Sequence, residues 1–442
     1  MGDRGFNATG REGQHFANPH TGGVFRANLD GSDLEQIYYG LRNPQELAFD
    51  EFGNLFTVDN NADIGDSARL TYILDGGDTG WHMGLQMLGN RDFPKLAGLG
   101  EGKRLNPWLD EGMWKLRSDT QPANILPPIG HITSGPSGLA YTPGTGLPDS
   151  YARHFFVCDY TSGSNSGVYS FVAEESGAGF EMKDKDKFLW GITATDVAFG
   201  YDGRVYVCDY GGGWHLPGKG SIVALSEPDA IKKPIVEEVR KLFADGIAKL
   251  DTKSLAGLLK HVDMRVRQRA QFELAKRAKD GLAALTTAAQ TPGHTLSRIH
   301  GIWGLGQLHK QEPEALKVLV DLLNDTDARV REHAAKTLGD TRFTPAVEPL
   351  KKLLTDPNSR VKTFAAIALG KLHCNSDVPA LLTPEAAALL PSITDSSRSI
   401  RLGVLLALRR MQNPNIAAFL KDADPQIYAE AVRAIYDTPI RE

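Results

Sequence analysis

Two polar loops flank a strand-like stretch near the start of the chain. The first is Gly40-Leu41-Arg42-Asn43-Pro44-Gln45, and the second is Asp59-Asn60-Asn61-Ala62-Asp63. Leu47-Ala48-Phe49-Asp50 lies between them, and Gly76-Gly77-Asp78-Thr79-Gly80-Trp81 follows. Arg42 can grip a carboxylate or quinone oxygen in a bidentate, charge-assisted contact, and Asn43 can donate from its amide. The stretch from Asp59 to Asp66 offers oxygens at alternate positions, which suits a hard cation such as calcium. It is not an EF-hand. Its glycine, Gly65, comes one place late, and Leu70 stands where the bidentate glutamate belongs. A bound polar ligand accounts for both loops at once. A plainer account also stands: Arg42 and Asn43 pin a turn before Pro44, and the second loop is a set of Asx turns without metal.

Other residues carry weaker signals. Oxidation of a hydroxyl needs a general base. His15, His20, His82, His131, His154 and His215 lie in the same half of the chain, each more simply a surface or turn residue. His82 and His215, each just after a tryptophan, are the better placed of these. Three cysteines, Cys158, Cys208 and Cys374, form no Cys-x-x-Cys-His, so covalent c-type haem attachment by that motif is excluded within this chain. Cys158 and Cys208 occupy equivalent places in successive units. Such places lie about one sheet spacing of ~10 Å apart, so buried free thiols are expected rather than a disulfide. His373-Cys374 is too isolated a pair for zinc. Gly98 to Lys103 lacks the spacing of a phosphate loop and is expected to be a flexible turn.

The elements that must position these residues change character along the chain. Up to about Gly220, glycine is abundant and aromatic and β-branched stretches alternate with turn signals. After the segment Ser226 to Pro234, alanine, leucine, lysine and arginine recur at helical spacing. We place the domains at 1–228 and 235–442. In the first, Leu47-Ala48-Phe49, Leu139-Ala140-Tyr141 and Val197-Ala198-Phe199 each open a strand–turn–strand phrase. The phrases end in Asp59, Asp159 and Asp209. Repetition of small antiparallel sheets predicts propeller blades, with a β-sandwich as runner-up. About three and a half blades are counted against the 4–8 of closed propellers, and the chain starts inside a blade, so a truncated, partial propeller is expected.

In the second half, Asp263-Met264-Arg265-Val266-Arg267 resembles Asp327-Ala328-Arg329-Val330-Arg331 and Asn358-Ser359-Arg360-Val361-Lys362. Ser397-Arg398-Ser399-Ile400-Arg401 is a further copy, and weaker ones begin near Leu296 and Asp424. Asp325, Asp356 and Asp395 fall where an N-cap or turn residue is wanted. The recurrence predicts an all-α array of HEAT-like helix pairs whose arginines and lysines mostly solvate or cap. Such arrays usually offer a concave binding surface and have no catalytic constellation.

Both halves together resemble a known family. Gly2-Asp3-Arg4-Gly5, then Val24-Phe25-Arg26 with Asp30-Gly31, then Arg42-Asn43-Pro44-Gln45, then Gly76-Gly77 with Gly80-Trp81 follow an order similar to that of the soluble glucose/sorbosone dehydrogenases. A propeller followed by HEAT repeats looks like the membrane-bound dehydrogenases of the PVC type, which commonly continue into a cytochrome c domain. The resemblance implies oxidation of a sugar or other alcohol by hydride transfer to pyrroloquinoline quinone (PQQ), with calcium. Electrons would pass to a cytochrome c domain or protein. By the same resemblance Arg42 and Asn43 match the cofactor-contacting pair. The carbonyls near Asn60 and Asn61, with Asp59 and Asp63 beside them, match the calcium contacts, and the location is periplasmic or cell-envelope. The chain departs from that pattern. The blades that carry the family's catalytic histidine are absent, and no haem motif follows the array. This chain alone is therefore expected to bind PQQ weakly or not at all and to oxidise no sugar. The alternative is a non-catalytic propeller/HEAT scaffold that binds a protein or carbohydrate partner.

Composition narrows the field. The chain has 442 residues, 41% hydrophobic and 23% charged, with a net charge of −5. Nothing in that balance points to nucleic acid. No apolar run approaches the ~20 residues of a membrane span, and Met1-Gly2-Asp3-Arg4-Gly5 is not the start of a signal peptide.

Overall fold

A computed structural model describes residues 5–63, 65–83, 108, 128–215, 218–373, 384–396 and 398–437. The Gly2-Asp3-Arg4 motif, the Gly98–Lys103 segment and Cys374 lie outside these residues, as does Ile64 within the Asp59–Asp66 loop.

The first half is a series of strands. In chain order they are β1 (Phe6–Thr9), β2 (His15–Asn18), β3 (Gly22–Arg26), β4 (Glu35–Leu41), β5 (Pro44–Phe49), β6 (Leu55–Asp59), β7 (Arg69–Tyr72) and β8 (Gly77–Asp78). There follow β9 (Pro136–Tyr141), β10 (His154–Asp159), β11 (Gly167–Ser176), β12 (Gly179–Trp190), β13 (Ala194–Phe199), β14 (Val205–Asp209) and β15 (Ser221–Leu225). They form the hairpin β1-β2 and the sheets β3-β4-β8, β5-β6-β7, β12-β11-β10-β9 and β13-β14-β15. Runs such as Phe155-Phe156-Val157 and Val205-Tyr206-Val207 favour a pleated, packed surface. Asp50 closes the β5–β6 turn by accepting from the backbone N–H groups of Phe52 (2.9 Å) and Asn54 (2.8 Å).

The strand–turn–strand phrase is thus present three times, yet the fold is not a propeller. Among the described residues the sheets are small and mixed, and none is closed into a ring. The β4–β8 pairing is parallel, which no up-and-down blade contains. Alternation and turn chemistry specify a sheet locally. They do not specify how one sheet meets the next, and here helices cover the sheets instead of a returning blade.

The second half is helical: α1 (Pro234–Asp245), α2 (Thr252–Leu258), α3 (Met264–Ala275), α4 (Ala278–Gln290), α5 (Thr295–Leu308) and α6 (Ala315–Leu322). Then come α7 (Ala328–Asp340), α8 (Val347–Leu353), α9 (Ser359–His373), α10 (Pro384–Leu389), α11 (Arg398–Arg410) and α12 (Pro425–Asp437). From α2 they stack as pairs, and the 3-10 stretch Pro414–Lys421 is the first member of the last pair. Capping residues include Asp251, Asp263, His294, Asp327, Asn358 and Asn413, each accepting a backbone N–H of its first turn. Asp325 and Asp356 are the turn residues two places earlier. Each accepts an N–H within the turn, and each pairs with an arginine of the preceding repeat, Arg298 and Arg331.

One apolar core runs through both halves. Phe56, Leu70, Phe155, Phe171 and Phe180 from the sheets join Val266, Ile302, Val330, Val361 and Leu405 from the helices. Burying each such side chain contributes roughly 1.5–3 kcal/mol. Gly53, at the tip of the β5–β6 turn, faces the Trp303 ring so closely that a Cβ would sit 2.6 Å from it. No helix among the described residues is long and apolar enough to cross a membrane.

Candidate functional site

The residues singled out around Arg42 do come together. The Asp59 carboxylate accepts the backbone N–H groups of Arg42 (3.0 Å) and Asn43 (2.7 Å) and pairs with buried Arg69. The Asn60 N–H returns to the Asn43 carbonyl at 3.3 Å. Arg42 reaches Asp63 at 2.9 Å, and the Asp63 side chain is 71% exposed. Asn61 donates to the Ser134 carbonyl at 2.9 Å and accepts the Asp63 N–H at 3.3 Å. Asp66 accepts the Ala62 N–H and the indole N–H of Trp108, both at 2.8 Å. Trp108 also lies 4.6 Å from the Arg69 guanidinium and meets Trp81 edge-on at 5.2 Å.

The Asp59 arrangement is one copy of a recurring clamp. Asp159 accepts the N–H groups of Ser134 and Gly135, both at 2.9 Å, and the Tyr160 N–H returns to the Gly135 carbonyl. Asp209 accepts from the Thr193 N–H (3.1 Å) and hydroxyl (2.6 Å), and the Tyr210 N–H returns to the Thr193 carbonyl. In each unit the aspartate ending the second strand ties down the loop that leads into the first. The three aspartates were visible in the sequence, and their recurrence was the signal that Asp59 has a structural task.

The carboxylates of these loops are engaged within the protein. Calcium needs several oxygens converging on one point. Here the carboxylates of Asp59, Asp63 and Asp66 turn to different protein partners. Among the described residues no cluster of three or more histidine, cysteine or acidic side chains is placed to hold a metal. PQQ carries three carboxylates, but Arg42 and Arg69 are each already answered by an aspartate. Of the candidate histidines, two meet each other and the others are dispersed. His15 contacts Thr9, His20 stacks on His82 at 4.8 Å, and His131 and His154 meet backbone carbonyls. Cys158 and Cys208 are free thiols, and burial pushes the Cys158 thiol up.

The densest chemistry lies elsewhere, where the sequence pointed to solvated charges. Turns at the other end of the sheets meet the second helices from α3 to α11. On α3, Arg265 donates to the Phe199 carbonyl (2.7 Å) and Arg267 faces Glu51 (3.5 Å). Arg329 at the start of α7 grips Glu175 through two bonds of 2.8 and 3.0 Å. Arg360 of α9 is buried, bonds Glu332 at 2.7 Å and reaches the Asn54 amide oxygen at 2.7 Å. Farther along, Arg26, Glu35 and Asp75 from the sheets interlock with Asp340, Lys371 and Arg410 from the helices. Arg433 of α12 pairs with Asp78. Burial alone would push the Lys371 ammonium down, but Asp340 and Asp75 reverse this and hold it above an ordinary lysine. Burial likewise works against the charge of Glu35, yet Lys371, Arg26 and Arg410 bring its carboxyl down to about 2.

Two concavities stand out among the described residues. A groove of about 640 Å³ runs between α2 and α4, with Ala256, Gly257, Ala284 and Ala288 inside and Lys253 and Lys260 among its charged lining. A cleft of about 680 Å³ lies at the junction, lined by Phe52, Glu175, Arg329, Glu332 and Arg360.

Residues 316–388 match the family model for HEAT repeats. The chain is 31% identical over 168 residues to the phycocyanobilin lyase subunit alpha of Synechococcus elongatus, covering 35% of this chain and 61% of that protein. It therefore spans less than two thirds of the length of the curated relative it matches. Among solved structures, the complex of CpcE and CpcF of phycocyanin lyase from Nostoc sp. PCC7120 is 22% identical, with a TM-score of 0.31 over 35% of this chain and 96% of that one. A computationally designed armadillo repeat protein for modular peptide recognition is 15% identical, with a TM-score of 0.30 over 42% and 99%. A glucose dehydrogenase is 17% identical, with a TM-score of 0.31 over 45% and 49%. Scores this low carry no argument.

The chain contains a HEAT-repeat region. The dehydrogenase expectation is overturned: the family model that matches describes repeats, the curated relative is a lyase subunit, and the sheets described form no propeller.

Proposed function

We propose that this chain is a non-catalytic scaffold that binds a protein partner on the first-helix row of its HEAT array. The observation that carries the proposal is the sealing of the opposite row. Second helices are held to the sheets by Arg267–Glu51 on α3, Arg329–Glu175 on α7, Lys371–Asp75 on α9, Arg410–Asp75 on α11 and Arg433–Asp78 on α12, and Trp303 of α5 packs on Gly53, so that row is taken. The α2–α4 groove, of about 640 Å³, opens on the free row. Its alanine and glycine floor admits the backbone of an inserted segment, and its lysines favour acidic side chains on it. The relative's name, a lyase subunit, supports a protein that works beside another chain. On this proposal, the likeness of residues 40–81 to glucose/sorbosone dehydrogenases is one of ancestry and not of activity.

The test is cross-linking of the tagged chain in extracts of its own source, read by mass spectrometry. Lys253 and Lys260 should carry the links to the partner, and Ala284→Trp, which fills the groove, should abolish them while leaving the melting temperature unchanged. Links confined to the Arg42 end of the sheets would refute the groove assignment.

A further inference from the structure

Trp214 stands in water on a loop that holds it there. It is 69% exposed, so at least one face of the indole is open to solvent. Gly211, Gly212 and Gly213 lead up to it with φ of 85°, 93° and 75°, the left-handed region that glycine adopts without strain. The glycine run is tied down along its length. The Gly211 and Gly212 N–H groups donate to the Thr193 hydroxyl at 2.9 and 3.0 Å. The Gly213 N–H donates to the Ser162 carbonyl at 2.8 Å, and the Gly213 carbonyl accepts the Tyr160 hydroxyl. The Tyr160 ring stands perpendicular to the indole at 5.0 Å and to the Tyr210 ring at 5.5 Å. An indole left in water forgoes the stabilisation of burial. Here glycines and hydrogen bonds together keep it in that position.

The loop beside it is Thr161-Ser162-Gly163-Ser164-Asn165. The Thr161 hydroxyl closes this loop on the Asn165 carbonyl at 2.8 Å. Ser164 and Asn165 are exposed. The side chains of Ser162, Ser164 and Asn165 make no hydrogen bond among the described residues. No charged side chain occurs from Tyr160 to Ser166 or from Tyr210 to Trp214. The carboxylate just before, Asp209, is turned to Thr193 and Gly211.

We infer that the Trp214 ring and the serine–asparagine loop form a binding site for a neutral carbohydrate. The C–H face of a sugar ring lies on the indole, and its hydroxyls exchange hydrogen bonds with Ser162, Ser164 and Asn165. Other ligand classes lack their partners here. An anion needs a cation, and neither loop has one. An ammonium group needs rings disposed around it, and these three rings touch edge to face with no cage between them. An apolar peptide needs a continuous apolar surface, and both loops are serine, glycine and asparagine around the aromatic rings. The fixed loop lowers the ordering cost of binding.

The inference goes beyond the proposed scaffold role and is tested separately, by isothermal titration of the full chain with cellohexaose, maltohexaose and xylohexaose, and with choline as the cationic control. At least one hexasaccharide should bind, and choline should not. Trp214→Ala should weaken that binding ~10-fold or more with the circular dichroism spectrum unchanged, Trp214→Tyr should retain part of it, and Asn165→Ala should weaken it without abolishing it. The groove variant Ala284→Trp should bind the sugar as the parent chain does, so this site and the groove stand or fall independently. No binding of any of the three hexasaccharides, binding indifferent to Trp214→Ala, or binding of choline in their place overturns the assignment.

Discussion

At the scale of single residues, Asp59 and Asp63 show how alike two aspartates can look in sequence and how differently they act. Asp59 is fully buried, holds two backbone N–H groups and answers Arg69. Asp59→Ala leaves a buried guanidinium uncompensated, so a loss of about 3–5 kcal/mol is expected in denaturant unfolding. Millimolar calcium should neither restore that loss nor raise the melting temperature of the parent chain. Asp63 is mostly in water, and its pair with Arg42 is worth roughly 0–1 kcal/mol, so Asp63→Asn should change little. The two residues are separated by burial, which the local sequence does not encode. The loop's density of oxygens was legible; the direction in which each oxygen points was not.

At the scale of elements, the repeats carry their own acid sensitivity. His300 on α5 and His333 on α7 flank Trp303 edge-on, and burial lowers both to about 3. A histidine held neutral in the fold stabilises it fully above its unfolded pKa. That contribution shrinks as pH falls from ~6.5 towards the folded value. Asp50 acts in the opposite sense. Burial raises it to about 6, so it favours the fold as pH drops from ~6 to ~4. Two protons against one leave a net loss on the order of 1 kcal/mol per pH unit between pH 6 and 4.5. Thermal melts over that range should show it. The dependence should flatten in His333→Phe and steepen in Asp50→Asn; an unchanged slope in both would remove these groups from the account.

At the scale of the whole molecule, the sheets and the array form one cooperative body. Lys371 sits buried between Asp340 and Asp75. Lys371→Met should cost about 3 kcal/mol, the low end for a broken buried pair, because Asp340 keeps Lys336 and Arg26 and Asp75 keeps Arg410. Both halves should lose stability together in a single transition, read by near-ultraviolet and far-ultraviolet circular dichroism. Proteolytic cleavage between Leu225 and Pro234 should leave the two pieces bound through size-exclusion chromatography. Two separate transitions, or pieces that part on cutting, would contradict a shared core.

The helix pairs and the three strand–turn–strand phrases could be read from the sequence alone, because each depends on neighbours a few residues away; of the aspartates marked as cap or turn residues, Asp325 and Asp356 are turn residues, two places before the caps. Asp327 and Asn358 cap their helices through bonds that span two residues. The final arrangement depends on partners that are distant in the chain. Arg360 meets Asn54, 306 positions earlier, and Arg410 meets Glu35, 375 positions earlier. A sheet-forming phrase fits a propeller, a sandwich or an open set of small sheets equally well, since all satisfy its backbone and its period. Only the three-dimensional packing chose among them, by placing the arginine-bearing helices over the turns and closing the core there.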